Sequence, residues 1–334
     1  MSGRGIVLTR TPLRVSFAGG GTDLATHYEA DDGAVFSSTI DKYVYVTVKR
    51  HGAVFDENVR LNYSVSESVS SIDAIRNDVA RECLRLLEIE PPIYVSVVSD
   101  LPDSSGLGGS SAFAVGLLNA LHMFRGEQVT ASQLADEAST VEIEMLAQPI
   151  GKQDQYAAAF GGLNLFAFRP GGDVTVQPHR GVNGSVGELF DHLLMIWSGH
   201  QRRASSVLLE QQERTAEHRG VLGRMREQAY ELQALMSSPT PDFRRFGAVL
   251  DAGWNMKRGL ASTVSNPEID GWYAAGLEAG ALGGKLCGAG GGGFLVFLAE
   301  PGARDQVRAA LPGLQSVPVR FEAHGSRVLF AEVD

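Results

Sequence analysis

Cysteine is nearly missing from this chain, with only Cys83 and Cys287 in 334 residues. Two thiols without metal-ligand spacing build neither a zinc site nor a disulfide framework, so a reducing cytoplasm is the expected setting. Long apolar runs are missing too. No stretch approaches the ~20 apolar residues of a spanning helix, and the opening "MSGRGIVLTRTPLRVSF" lacks the apolar core of a signal peptide; no membrane partner is expected. Basic charge is scarce: 29 Lys and Arg face 39 Asp and Glu, a net charge of −10. Such a field attracts neither nucleic acid nor an anionic membrane, so any phosphate bound here must be captured locally. Several chemical motifs are absent as well. There is no G-x-x-x-x-G-K-[ST], which excludes a P-loop NTPase, and no H-E-x-x-H, paired C-x-x-C or G-x-S-x-G, which removes common zinc and hydrolase sites.

What is present is an ordinary globular composition, 44% hydrophobic and 20% charged, in a chain about twice a typical domain's length, so two lobes, or one large domain with additions, are expected. Residues 6–17 alternate as a half-buried strand and meet the glycine-rich break "AGGGTDL"; 34–50 reads as a long β segment. A helical stretch near 71–88 and the β-branched run "IYVSVV" at 93–98 precede "LPDSSGLGGSSAF", three glycines and four serines in 101–113. The helix that begins there is apolar nearly all round, which marks it as buried, with its start facing the glycine turn. Helical spacing over 131–146 leads to "AQPIGKQDQYAAAFGG", where Pro149 and Gly151 predict a loop. The stretch 204–262 is mainly helical with a break at "SSPTPDF". A helix near 267–279, a turn "GGKLCGAGGGG", a strand "FLVFLAE", a helix near 302–311 and closing strands complete the chain. The polar, glycine-containing segment 170–190 is the expected boundary between lobes. No internal repeat is visible.

Three glycine clusters stand far apart: "AGGGTD" (18–23), "GLGGSS" (106–111) and "CGAGGGGF" (287–294). Any one alone reads equally well as turns. Together they suggest backbone closing on a polyphosphate, and a glycine turn running into a helix start gathers free N–H groups at the positive end of a helix dipole. Gly288, Gly290 and Gly293 satisfy G-x-G-x-x-G, but a strand follows instead of a helix, so a dinucleotide fold is not expected. Bound nucleotide calls for Mg²⁺, whose oxygen ligands typically combine one or two carboxylates with a hydroxyl and the phosphates; Glu142 and Ser110 can supply them. Asp154 can take a proton from an attacking hydroxyl, and Arg14 can stabilise charge on the transferred group. Taken singly, Glu142 and Glu144 read more readily as solvated helix charges, and only their company points to function.

"TPLRVSFAGGGTDL", "LPDSSGLGGSSAFAVGLLNAL", "GKQDQYAAAFGG" and "KLCGAGGGGFLVF" together resemble the GHMP small-molecule kinases, in the family's order and over about residues 10–297. The resemblance implies an α+β protein: an N-terminal α/β domain (1–180) with the glycine-rich phosphate loop, a C-terminal ferredoxin-like α+β domain (181–334), and a site between them. It implies that Gly106, Leu107, Gly108, Gly109, Ser110 and Ser111 hold ATP, that Ser110 and Glu142 meet Mg²⁺, and that Asp154 and Arg14 are catalytic. Gly20, Gly21, Thr22 and Asp23 would bind substrate, with Gln153 and with Gly290 and Gly291 of the glycine hairpin; Asp23 reads alternatively as a cap on the next helix. Gln155 and Lys152 shape the same loop or touch substrate.

The wording of "RVSFAGGGTD", "GKQDQYAAAFGG" and "SGHQRRASS" is most similar to kinases that phosphorylate the anomeric hydroxyl of D-glycero-D-manno-heptose 7-phosphate. That sugar brings its own phosphate, for which Arg202 and Arg203 offer guanidinium forks at an expected strand-to-helix junction, or else form a solvated basic face. The implied activity is Mg·ATP-dependent phosphorylation to the 1,7-bisphosphate, in nucleotide-activated heptose synthesis. The alternatives are a GHMP kinase of an unphosphorylated fucose- or galactose-like sugar, and a non-catalytic nucleotide and sugar sensor on the same scaffold. The expected partners are small molecules, with self-association left open.

Overall fold

The computed structural model describes residues 5–52, 54–179, 181, 184–201 and 205–332. Its larger sheet starts from two long strands. β1 (Ile6–Ala18) alternates between half-buried and buried positions and then is buried on both faces; the glycine break and a short helix, Ala25–Tyr28, return the chain as β2 (Gly33–Arg50). They pair antiparallel from Ile6↔Lys49 to Ala18↔Phe36, with register shifts at Pro12/Leu13 and Ser16/Ala18. The length of β2 has a use. Its second half pairs with β5 (Ile93–Ser99) and its first half with β6 (Leu163–Phe168). The short strands β3 (Val59–Asn62) and β4 (Ser66–Val69) extend the sheet beyond β5, and β7 (Val174–His179) extends it beyond β6.

The second sheet holds β8 (Leu193–Trp197), β9 (Ala281–Leu286), β10 (Phe294–Ala299) and β11 (Gln315–Val317), in the order β11-β8-β10-β9 and antiparallel throughout. Helices join β8 to β9 and β10 to β11, which gives the ferredoxin-like arrangement expected for the C-terminal half. The chain then crosses back. β12 (Arg327–Glu332) pairs with β1, from Ile6↔Glu332. Residues 327–332 of the span 181–334 therefore lie in the first sheet, where they cover backbone groups that β1 would otherwise leave open on that side.

The helix Gly109–Phe124 is buried almost all round, as its composition predicts, and packs on β1 and β2. Leu117, Leu118 and Leu121 are fully buried, each contributing ~1.5–3 kcal/mol. Two local expectations differ from the structure. The helix predicted over 131–146 is α-helical only from Ala131 to Ser139 and widens into a π-turn over Thr140–Met145, with Leu146 N donating to Val141 O at 3.1 Å. Where a loop was expected after Gly151, Gln153–Phe160 is a helix. Pro149 and Gly151 break the preceding helix, but "QDQYAAAF" carries good helix formers and a carboxylate in its first turn, which suits the dipole. Likewise "GGKL" belongs to β9 rather than to a turn.

Candidate active site

The elements meet at a cavity of about 540 Å³ between the two sheets' connections. Its lining draws on all three glycine clusters: Gly20 and Gly21, Gly106 to Gly109 except Leu107, and Gly288, Gly290 and Gly292. The turn from the first sheet and the hairpin from the second touch. A Cβ on Gly106 would lie 2.6 Å from Cys287 O, and one on Gly288 would lie 2.5 Å from Gly106 Cα; both residues have positive φ, +82° and +70°. Only glycine permits that approach.

Gly108 opens the helix Gly109–Phe124 without a side chain to cap it. The first ladder bond is Ala112 N to Gly108 O, so the amides of Gly109, Ser110 and Ser111 remain outside the helical ladder, and these residues line the cavity. A Cβ on Gly109 would meet nothing within 4 Å. This is the open, amide-rich helix start that suits a phosphate.

Arg14 on β1 and Asp154 in the first turn of the helix Gln153–Phe160 form a two-pronged ion pair. Nε donates to Oδ1 and Nη2 to Oδ2, both at 2.7 Å, while Nη1 donates to Gly106 O at 2.7 Å. Arg14 is buried, whereas the Asp154 side chain keeps 24% of its exposure and faces the cavity. The bidentate fork fixes the carboxylate's orientation.

Glu142 sits in the π-turn, fully buried. Its Oε1 accepts from Ser110 Oγ at 2.6 Å, and Oε2 accepts from Ser111 Oγ and Gln155 Nε2, both at 2.7 Å. All three donors are neutral, and burial pushes the carboxyl above its usual range against the pull of those bonds. A buried carboxylate beside an exposed serine hydroxyl is an oxygen set that fits Mg²⁺. Among the described residues no cluster of three His, Cys, Asp or Glu is placed to hold a metal, so a cation here would complete its shell with phosphate oxygens and water.

Asp23 does not cap the following helix, whose N-cap is Leu24. Its Oδ1 accepts from Gly21 N at 2.9 Å, and Oδ2 accepts from Gln153 Nε2 at 3.0 Å. Burial raises its carboxyl, and the charge of Asp154 raises it further. Around it, Gln153 Oε1, Ser16 Oγ and Gln211 Nε2 are buried without a hydrogen-bond partner among the described residues, and all three residues line the cavity. Buried polar atoms of this kind call for a polar ligand.

Three expected residues are not brought to the cavity. Leu107 is fully buried and its carbonyl accepts from Arg14 N at 3.0 Å. Thr22 is fully buried, its hydroxyl bonded to Gly19 O and to the backbone of Ala34. Gly291 donates its N–H to Val264 O at 2.9 Å. All three brace the glycine segments. Arg202 and Arg203 lie outside the described residues.

Two lysines escaped the sequence reading. Lys257, on the helix Phe243–Arg258, and Lys285, on β9, both line the cavity and are buried. Burial pulls the ammonium of Lys257 down to about 8; burial, reinforced by the charge of Lys257, pulls Lys285 down to about 7. A signal existed. Phe246, Leu250, Trp254 and Lys257 follow the spacing of one buried helical stripe, on which a lysine stands out.

The family model described as the GHMP kinases N-terminal domain matches residues 73–162, and the one described as GHMP kinases C-terminal matches 220–314. The chain is 29% identical over 311 residues to a D-glycero-alpha-D-manno-heptose 7-phosphate kinase of Campylobacter jejuni subsp. jejuni, covering 88% of this chain and 90% of that one. It is 27% identical over 265 residues to a mevalonate kinase of Thermococcus sibiricus, covering 74% of each. In fold it resembles a D-glycero-D-manno-heptose 1-phosphate kinase from Bacteriodes thetaiotaomicron, with a TM-score of 0.79 and 24% identity over 97% of this chain and 99% of that one. No helix among the described residues is long and apolar enough to cross a membrane. Because both of the family's domains are matched within this one chain, in sequence order and with the cavity drawing on residues of each, the protein belongs to the GHMP kinases and is an ATP-dependent kinase.

Proposed function

We propose that the protein transfers the γ-phosphoryl group of ATP to the anomeric hydroxyl of D-glycero-D-manno-heptose 7-phosphate, giving the 1,7-bisphosphate and ADP. The observation that carries the chemistry is the position of Asp154. A Cβ on Gly108, in the glycine turn, would stand 3.4 Å from Asp154 Oδ2, so the carboxylate borders the space where a phosphate on the turn would end. The choice of sugar rests on the heptose 7-phosphate kinase of Campylobacter jejuni, similar over 88% of the chain.

In this reading the amides of Gly109, Ser110 and Ser111 bind phosphate oxygens. Asp23, Gln153, Gln211 and Ser16 orient the sugar through its hydroxyls. Asp154 accepts the proton of the attacking hydroxyl as its oxygen bonds to the γ-phosphorus and the bond to the β-phosphate oxygen breaks; Arg14 holds Asp154 in place and offsets charge on the transferring group. Glu142 and Ser110 would hold Mg²⁺, which when bound neutralises phosphate charge. The rest is positioning.

ADP release measured over a panel of sugars and sugar phosphates tests the reading. Turnover strongest with the heptose 7-phosphate is expected. Turnover only with free hexoses would replace the acceptor, and turnover with none would favour a sensor.

A further inference from the structure

We propose that Lys257 is a catalytic residue that contacts the γ-phosphoryl group of ATP, so that one cation from each sheet's half, Lys257 and Arg14, closes on the group being transferred. The proposal rests on the phosphotransfer reading above and adds a residue from the second half of the chain to it.

The argument begins with an oddity of packing. Lys257 occupies the buried stripe of the helix Phe243–Arg258 and is 7% exposed. A lysine is seldom buried so deeply unless something repays its desolvation. Among the described residues no carboxylate is ion-paired with it; its Nζ donates to the carbonyl of Gly288. An ammonium has three donors, and two remain, in a side chain that lines the cavity.

Its mooring point fixes where those donors are. Gly288 is the residue that touches Gly106, and the carbonyl of Gly106 accepts from Arg14 Nη1 at 2.7 Å. The two cations are thus tied to the carbonyls of two glycines in contact, one in the turn of the first sheet and one in the hairpin of the second. The charged groups around Lys257 are Arg14, Asp23, Asp154 and Lys285, and the buried Cys287 thiol beside them is held in its neutral form by burial. Asp154 is already engaged by both prongs of Arg14, and Asp23 by Gly21 and Gln153. The cluster therefore gathers cations whose nearby carboxylates are occupied, in a cavity walled by free amides. A polyanion supplies the missing charge, and the position beside Asp154 selects its terminal phosphoryl group.

Lys285 provides the contrast. Its Nζ donates to Ser16 O at 2.7 Å and Phe17 O at 3.2 Å, binding β9 to the end of β1. That ammonium is a strut, with most of its donors spent on the fold. Lys257 spends one.

The test is Lys257→Met in the full chain, a substitution of similar length that suits a buried stripe. Calorimetric titration with Mg·ATP and Mg·ADP should leave ADP affinity within about twofold of wild type and cut the preference for ATP on the order of tenfold, while kcat for ADP release falls on the order of 100-fold. An unchanged ATP-to-ADP affinity ratio overturns the proposal, as does a variant in which only the acceptor KM rises. If Lys257→Met does not fold by circular dichroism, Lys257→Ala is assayed with added ethylammonium: recovery of kcat supports the contact, and no recovery overturns it. The nucleotide measurement needs no acceptor, so a wrong choice of sugar leaves it intact, whereas a wild-type protein that binds no ATP removes both readings together.

Discussion

Glu142 and Asp154 line the same cavity and are held in opposite ways. Asp154 already has its cation, the two-pronged fork of Arg14, and part of it stays exposed. Glu142 has none: three neutral donors surround a fully buried carboxyl that burial pushes upward. The difference separates two tasks that composition alone would give to either acid. In the proposed function, the carboxylate fixed by a permanent partner takes the proton, and the one left without charge compensation receives Mg²⁺. The same contrast recurs between Lys285, anchored to two strand carbonyls, and Lys257, anchored to one glycine.

Breaking the first half of the comparison should cost most. Arg14→Gln removes the fork that orients Asp154 and leaves Gly106 O without its donor; kcat for ADP release should fall on the order of 10³-fold with the acceptor KM changed far less. Breaking the second half costs less and shows differently. Glu142→Gln keeps the hydrogen-bonding shape but gives up the charge, so kcat should drop on the order of 100-fold and the Mg²⁺ concentration for half-maximal rate should rise on the order of tenfold, read from an Mg²⁺ titration at saturating ATP.

The smallest effect is on stability and sharpens the contrast by its sign. Glu142 and Asp23 both have carboxyls raised above their ordinary values of 4.5 and 3.8, so the folded state binds more protons there and stability falls as pH rises through the raised values. Lys257 and Lys285, lowered to about 8 and about 7 from 10.5, act the other way, and stability rises with pH between those values and 10.5. The melting temperature of Glu142→Gln relative to wild type, without ligand, should therefore rise with pH across the acidic range, as the buried Glu142 carboxyl of wild type loses its proton, and stay level at alkaline pH.

Much of this was legible because it is local. The alternation of β1, the apolar helix after the glycine turn and the three glycine clusters each carry their own signature, and Gly108 at the helix start follows from sequence chemistry alone. The grouping of Ser110 with Glu142, and of Arg14 with Asp154, follows from what nucleotide chemistry requires and is carried further by the family resemblance, since nothing in the spacing of residues 14 and 154 brings them together. The misses have a common cause. The π-turn around Glu142 departs from regular helical spacing only in its hydrogen bonds, and Gln153–Phe160 is too short a helix to show a period. Lys257 stands out only as a charge on the apolar stripe of its helix, and Lys285 carries no such mark until the helix Phe243–Arg258 and β9 pack together and bury both. Leu107, Thr22 and Gly291 sit among cavity-lining neighbours in sequence but turn their bonding groups into the scaffold, a distinction made by backbone direction rather than by residue type.

The most direct test replaces one atom. Asp154→Asn keeps the size of the side chain and removes its capacity to take a proton, and ADP release with ATP and D-glycero-D-manno-heptose 7-phosphate can be followed beside nucleotide affinity. The account predicts kcat lower on the order of 10³-fold with ATP binding within a few-fold of wild type. A variant that turns over at the wild-type rate would contradict it.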